Sequence, residues 1–156
     1  MARRHRAEIR DLAPDLKYNN KLVARLINHV MVKGEKAISE SIVYGMLDFI
    51  KEQSKEDPLE VLVRAMDNIK PKVEVRSRRV GGMTYQVPVE VSTERQLALA
   101  IRWLIQFAQA RKAVSMERAL GMELLDAFKN EGNAIRKRDD THKMAQANKA
   151  FAHYKW

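Results

Sequence analysis

Residues 73–91 read VEVRSRRVGGMTYQVPVEV, two β-rich arms that meet at Gly81-Gly82. Both arms are rich in Val, the return arm adds Thr84 and Tyr85, and a Gly-Gly centre permits the positive φ angles of a tight type I′ turn. The stretch predicts a β-hairpin. With the two-residue loop that such hairpins favour, Val80 faces Met83, Arg78 faces Tyr85, Arg76 faces Val87 and Glu74 faces Val89. Arg79, Ser77 and Val75 then lie on the opposite side. Neither face is uniformly apolar, and an isolated two-stranded hairpin is marginal in water. The expected form is a projecting arm, held to the body at its Val-rich base and by a partner at its Arg-rich tip.

Charge supports a partner. From Asn68 to Val80, five positive residues (Lys70, Lys72, Arg76, Arg78, Arg79) stand against Glu74 alone, a balance of +4. Solvated surface arginines are the bland account, but so concentrated a field attracts polyanions and releases their counterions. The whole chain, 156 residues with a formal charge of +9 and a pI near 9.9, favours nucleic acid over an anionic membrane or an acidic protein. Its length and 46% hydrophobic content predict one folded domain over residues 1–156. The absence of cysteine excludes disulfides and thiolate metal sites and fits a reducing compartment. The longest apolar run, Leu97 to Ile101, is interrupted by Arg102 far short of a membrane span, and no apolar targeting segment opens the chain. A soluble intracellular protein is expected.

Outward from the hairpin, periodicity predicts a helical body. Residues 1–18 form a basic arm, with Arg3, Arg4, Arg6 and Arg10 against Glu8 giving +3 over the first ten residues. Pro14 marks a turn. Asn19 or Asn20 can cap a first helix with Leu22, Val23, Leu26, Ile27, Val30 and Met31 on one stripe, stopped by Gly34. A second helix, from about Lys36 to Ser54, carries Ile38, Ile42, Val43, Met46, Leu47 and Ile50. The third has the clearest start: Asp57 caps, Pro58 suits the first turn, and Leu59, Leu62, Val63, Met66 and Ile69 follow until Pro71. Beyond the hairpin, Ser92 or Thr93 caps a fourth helix, with Gln96 completing a capping box and Leu97, Ala100, Ile101, Leu104, Ile105 and Ala108 buried. Ser115 caps a fifth helix through Met116, Ala119, Leu120, Leu124 and Phe128, ended by Gly132. A sixth begins near Asn133 with Arg136, Lys137 and Arg138 in its early turns, and residues 146–156 form a polar, aromatic tail.

The charge is sorted. Between Lys33 and Asp67, five positives face eight negatives, a balance of −3 inside a chain of +9. A nucleic-acid-facing side and a solvent- or protein-facing side follow from that asymmetry. Catalytic motifs do not appear: there is no P-loop, dinucleotide fingerprint, HExxH or nucleophile elbow. Gly81-Gly82 sits between two strands and cannot cradle a phosphate on a helix N-terminus. Asp139 and His142 share a helix face and could relay a proton or bind a metal, but they stand among solvated charges with no third ligand nearby. Trp103 and Phe107 read as core. Aromatics are 6% of the chain, so arginine contacts to phosphate and RNA shape are the better mechanism than stacking. A DNA-bending protein with a basic ribbon arm is the competing class, but Gly81-Gly82 supplies no apolar wedge. An RNA-processing enzyme would need a carboxylate or histidine constellation that the sequence lacks.

These residues carry a resemblance. The run from Val73 through Gly82, continued by Thr84 to Val89, resembles the hairpin of the bacterial ribosomal protein seven family of the small subunit. Lys17-Tyr18, Leu22-Val23, AIRWL at Ala100 to Leu104, RKRDDTHKMA at Arg136 to Ala145, and ANKAFAHYKW at Ala147 to Trp156 agree with it. The resemblance implies a mainly α fold, six helices in a single domain with one protruding hairpin, and no enzymatic activity, cofactor, metal or small-molecule substrate. It implies a cytoplasmic ribosomal protein that binds the 3′ major domain of 16S ribosomal RNA and nucleates assembly of the 30S head. It would sit at the subunit interface beside the exit-site tRNA, with ribosomal proteins nine and eleven as neighbours. By the family pattern Arg3, Arg4, Arg6, Arg10, Lys72, Arg76, Arg78, Arg79, Tyr85, Arg95, Arg102 and Arg111 meet nucleic acid. Arg136, Lys137, Arg138 and His142 would lie near tRNA.

Overall fold

Six α-helices and one antiparallel hairpin make up the computed structural model, which describes residues 10–154. Their order is α1 (Lys21–Val30), α2 (Lys36–Ser54), α3 (Pro58–Ile69), β1 (Val73–Val80), β2 (Met83–Glu90), α4 (Thr93–Ala110), α5 (Met116–Phe128) and α6 (Gly132–Ala147), followed by a 3-10 helix at Lys149–Tyr154. The mainly helical class and its hairpin are as the periodicity predicts. Arg3, Arg4 and Arg6 lie outside the described residues.

The chain divides within α2 into two compact units, Met1–Val43 and Tyr44–Trp156. In the first, the Asp15 carboxylate accepts the backbone N–H groups of Lys17 and Tyr18, both at 3.0 Å, and shapes the turn after Pro14. Asn20 Oδ1 then accepts from the Leu22 N–H at 2.7 Å and caps α1. Val23, Leu26, Ile27 and Val30 are buried as one stripe. The helix stops earlier than expected: Val30 is its last residue, and Gly34, with φ +85°, falls in the connection. Ile38, expected in the stripe of α2, is 56% exposed.

In the second unit α3 packs on α5, and α5 on α4 and α6. Met46, Leu47, Ile50, Leu62, Met66, Ile69, Ile101, Leu104, Leu120 and Leu124 form its fully buried centre. Close approach depends on Gly121, where a Cβ would stand 2.5 Å from the ring of Phe49. Asp57 caps α3 by accepting from the Leu59 N–H at 3.3 Å, with Pro58 in the first turn. The capping box expected for α4 does not form. Ser92 is the N-cap without a side-chain bond, and Gln96 Nε2 donates instead to the Val91 carbonyl at 2.9 Å. Likewise α5 ends at Phe128, ahead of Gly132, which starts α6.

The hairpin pairs Val80 with Met83, Arg78 with Tyr85, Arg76 with Val87 and Glu74 with Val89. Gly81 and Gly82 take φ of +57° and +85°, the double positive φ of a type I′ turn. Burial fades along it. At the base Val87 and Glu74 are 0% and 7% exposed, while Met83 beside the turn is 64% exposed. The cover for this half-polar face comes from α6 and from the C-terminal 3-10 helix, which lies on β2. The segment expected as a tail is therefore a folded part of the hairpin's support.

Candidate nucleic-acid interface

At the base of the hairpin, backbone groups left over by helix and strand ends are satisfied by side chains. The Lys72 N–H donates to His142 Nε2 at 3.0 Å, and Arg138 Nη1 donates to the Asn68 carbonyl at 2.6 Å. Asn68 in turn donates through Nδ2 to the carbonyls of Ala127 and Phe128 at 3.0 and 3.3 Å. The ends of α3 and α5, the start of β1 and the middle of α6 are thereby tied together. Burial first and the positive charge of Arg138 next hold the His142 imidazole below its ordinary value, and Lys72 adds a smaller pull the same way, against the opposing charge of Asp139. A neutral ring suits an acceptor.

Glu74 organises the next level. Its carboxylate is buried and accepts from Arg76 Nε at 2.6 Å and from Arg95 Nε at 2.9 Å. Burial pushes the acid up, but the hydrogen bonds from Arg95 and Arg76 outweigh it and hold the carboxyl below the usual carboxylate range. Near the tip, Arg78 faces Tyr85 across the strands and donates to the Tyr154 carbonyl.

The structure thus joins Lys72, Arg138 and His142 at the hairpin base, Arg76 and Arg95 on Glu74, and Arg78 with Tyr85. Arg111 is placed elsewhere. It donates to Glu123 Oε2 through Nε at 3.0 Å and Nη2 at 2.6 Å, and also to Asp126. Its guanidinium is held in an internal pairing, because Glu123 is fully buried and needs a cation. Arg10, Lys72, Arg76, Arg79, Arg95, Arg102, Arg136 and Lys137 are exposed; Arg78, Tyr85, Arg138 and His142 are half-buried.

On α6, Arg136, Lys137, Asp140, Lys143 and Met144 form an outward stripe. Lys143 belongs with the predicted basic positions, and the seven-residue step from Arg136 is the signal that finds it. Met83 adds an exposed apolar side chain beside the tip, where Gly81-Gly82 alone offers none. Asp139 and His142 are bonded to Arg138 and to the Lys72 backbone respectively. Among the described residues no group of three or more His, Cys, Asp or Glu is arranged to hold a metal, and no helix is long and apolar enough to cross a membrane.

Residues 2–149 match the family model described as ribosomal protein S7p/S5e. The chain belongs to this family. Full-length relatives include the small ribosomal subunit protein uS7 of Azorhizobium caulinodans, 56% identical over 156 residues and covering 100% of both chains. The uS7 proteins of Sorangium cellulosum and Cereibacter sphaeroides are 54% and 56% identical over the same 156 residues, again with 100% of both chains covered. A member of the S7p/S5e family is a ribosomal protein, a cytoplasmic constituent whose partners are ribosomal RNA and other ribosomal proteins.

Proposed function

We infer that this chain is a structural, primary RNA-binding protein of the small ribosomal subunit. It binds the 3′ major domain of 16S ribosomal RNA, nucleates assembly of the 30S head, and lies at the subunit interface near the exit-site tRNA. It acts by binding, without catalysis. One observation carries the reading beyond family membership: the hairpin and α6, packed together in one unit, leave Arg76, Arg79, Arg136, Lys137 and Lys143 at the surface. An exposed basic ribbon beside a basic helix face suits RNA recognised by backbone and shape.

Lys72, Arg76, Arg78, Arg79, Tyr85, Arg95 and Arg102 are assigned to ribosomal RNA, as is the N-terminal arm with Arg3, Arg4, Arg6 and Arg10. The tip and the α6 residues Arg136, Lys137, Arg138 and His142 are assigned to the tRNA side, and ribosomal proteins nine and eleven are the neighbouring proteins. A hydroxyl-radical footprint on a 3′ major domain fragment tests this. Protection that persists against excess duplex DNA and recedes with Lys72→Ala/Arg79→Ala/Arg102→Ala is expected. Displacement by duplex DNA, or a footprint unchanged by the triple variant, would overturn it.

A further inference from the structure

The C-terminal 3-10 helix has no role in the reading above, yet it makes the most specific contacts on the hairpin. Phe151 and Tyr154 bring their ring centroids to 5.4 and 5.0 Å from that of Tyr85, and their own planes stack within 17°. His153 adds its ring 4.0 Å from Tyr154. On the same strand pair, Arg78 donates to the backbone carbonyl of Tyr154. Three half-buried aromatic rings and one arginine thus close over the middle of the hairpin, between the base held by α6 and the exposed tip. Without this cover the outer half of the hairpin, beyond the base held by α6, would be a two-stranded ribbon with a mixed face, and such ribbons are marginal in water.

We propose that the Lys149–Tyr154 helix is a clasp that sets the hairpin for RNA binding, with Phe151 and Tyr154 as positioning residues that need not touch RNA themselves. The proposal rests on the RNA-binding reading above. The physical reasoning is pre-organisation. A ribbon fixed before it meets RNA loses less conformational freedom on binding, so the same arginine contacts yield higher affinity. Edge-to-face and offset aromatic packing stabilises beyond area burial, and a hydrogen bond from a charged donor to a carbonyl adds direction.

The signature of a clasp differs from that of a phosphate contact. Removing phosphate contacts flattens the salt dependence of affinity, whereas loosening the ribbon weakens binding at every salt concentration and leaves the slope alone. The test compares full-length wild type with Phe151→Ala/Tyr154→Ala and with the conservative pair Phe151→Tyr/Tyr154→Phe, which keeps all ring planes and the Tyr154 carbonyl. Amide hydrogen exchange in the free protein comes first. In the Ala pair, amides of Arg78–Val80 and Met83–Tyr85 should exchange at least about tenfold faster, while those of α3 and α5 keep wild-type protection and so report an intact fold. The conservative pair should match wild type.

Binding to the 3′ major domain fragment should then weaken on the order of tenfold for the Ala pair, with the slope of log K against log salt unchanged. Unchanged hairpin exchange would overturn the clasp outright. Faster hairpin exchange with wild-type affinity would overturn the positioning role. A flattened slope would mean that phosphate contacts are lost along with the rings, which a clasp does not predict. Because exchange is read without RNA, a wild-type protein that fails to bind the fragment refutes the RNA-binding reading, and exchange alone still decides whether the clasp holds the hairpin.

Discussion

Glu123 has no exposed side-chain surface, and its two oxygens serve different ends of the fold: Oε2 takes Arg111, while Oε1 accepts the Ala134 N–H at the start of α6 at 3.0 Å. Since Glu131, the N-cap of α6, makes no side-chain cap bond, this buried carboxylate substitutes for a local cap. Burial lowers the Arg111 guanidinium, but Glu123 and Asp126 more than reverse that and raise it. Arg111→Ala would strand the Glu123 charge and should destabilise the protein by about 3–5 kcal/mol. Urea unfolding measures the loss, and a change below about 1 kcal/mol would show that Glu123 finds another partner. His142 gives a second residue-scale prediction. Its folded-state value lies below the ordinary 6.5, so the stability it confers is complete above 6.5 and is lost as pH falls through the lower folded value. Protonated Nε2 could no longer accept from Lys72. Between about pH 7 and about pH 5 the melting temperature of wild type should therefore fall more than that of His142→Gln, whose amide oxygen accepts without titrating. Parallel curves would remove His142 from the hairpin's support.

At the scale of elements, the tightest predictions come from the helices. Leu26 in α1 and Leu104 in α4 are 1% and 0% exposed, and truncation of either to Ala should cost about 2–5 kcal/mol through the cavity it leaves. Thermal or urea unfolding of each variant checks it, and an unmoved transition would mean that the stripe is misplaced. Helix α3 shows how much of such a stripe was legible. Its start at Asp57-Pro58 and its end before Pro71 follow from capping and ring sterics, which act locally and are written in adjacent residues. Its buried face is another matter: Val61 and Ala65 are fully buried while Val63 is 42% exposed, because neighbours remote in sequence decide which side is covered. The same holds for Gln96, whose capping-box spacing from Thr93 was overridden by the free Val91 carbonyl. The folded form of residues 149–154, expected as a tail, was not legible for a sharper reason. A six-residue 3-10 helix has no room for a period, and the ring that Phe151 and Tyr154 meet, Tyr85, is on a distant strand. For the candidate site, the hairpin register and the basic residues were readable. What could not be read was the internal demand of Glu74 and Glu123 for arginines, since burial of an acid is a tertiary fact.

For the whole molecule, the decisive quantity is how the +9 is distributed. Within the second unit, residues 44–67 carry three positives and six negatives, and residues 68–156 carry seventeen positives and nine negatives, balances of −3 and +8. A diffuse field would attract RNA from any side, whereas docking through the hairpin and the basic positions of α4 makes affinity depend on particular cations. The two cases separate on salt. Lys72, Arg79 and Arg102 are exposed, and their joint replacement by Ala should reduce the slope of log K against log salt by about two, since each phosphate contact contributes roughly 0.7 to 0.9. Glu52 and Glu60, exposed on the acidic elements, serve as the counterpart: Glu52→Gln/Glu60→Gln raises the net charge by two yet should leave the slope at its wild-type value. Filter binding to the 16S 3′ major domain fragment over a series of salt concentrations reads both. If both variants shifted affinity only through net charge, with the triple variant keeping the full wild-type slope, the sorted charge would be a property of solubility and not of docking.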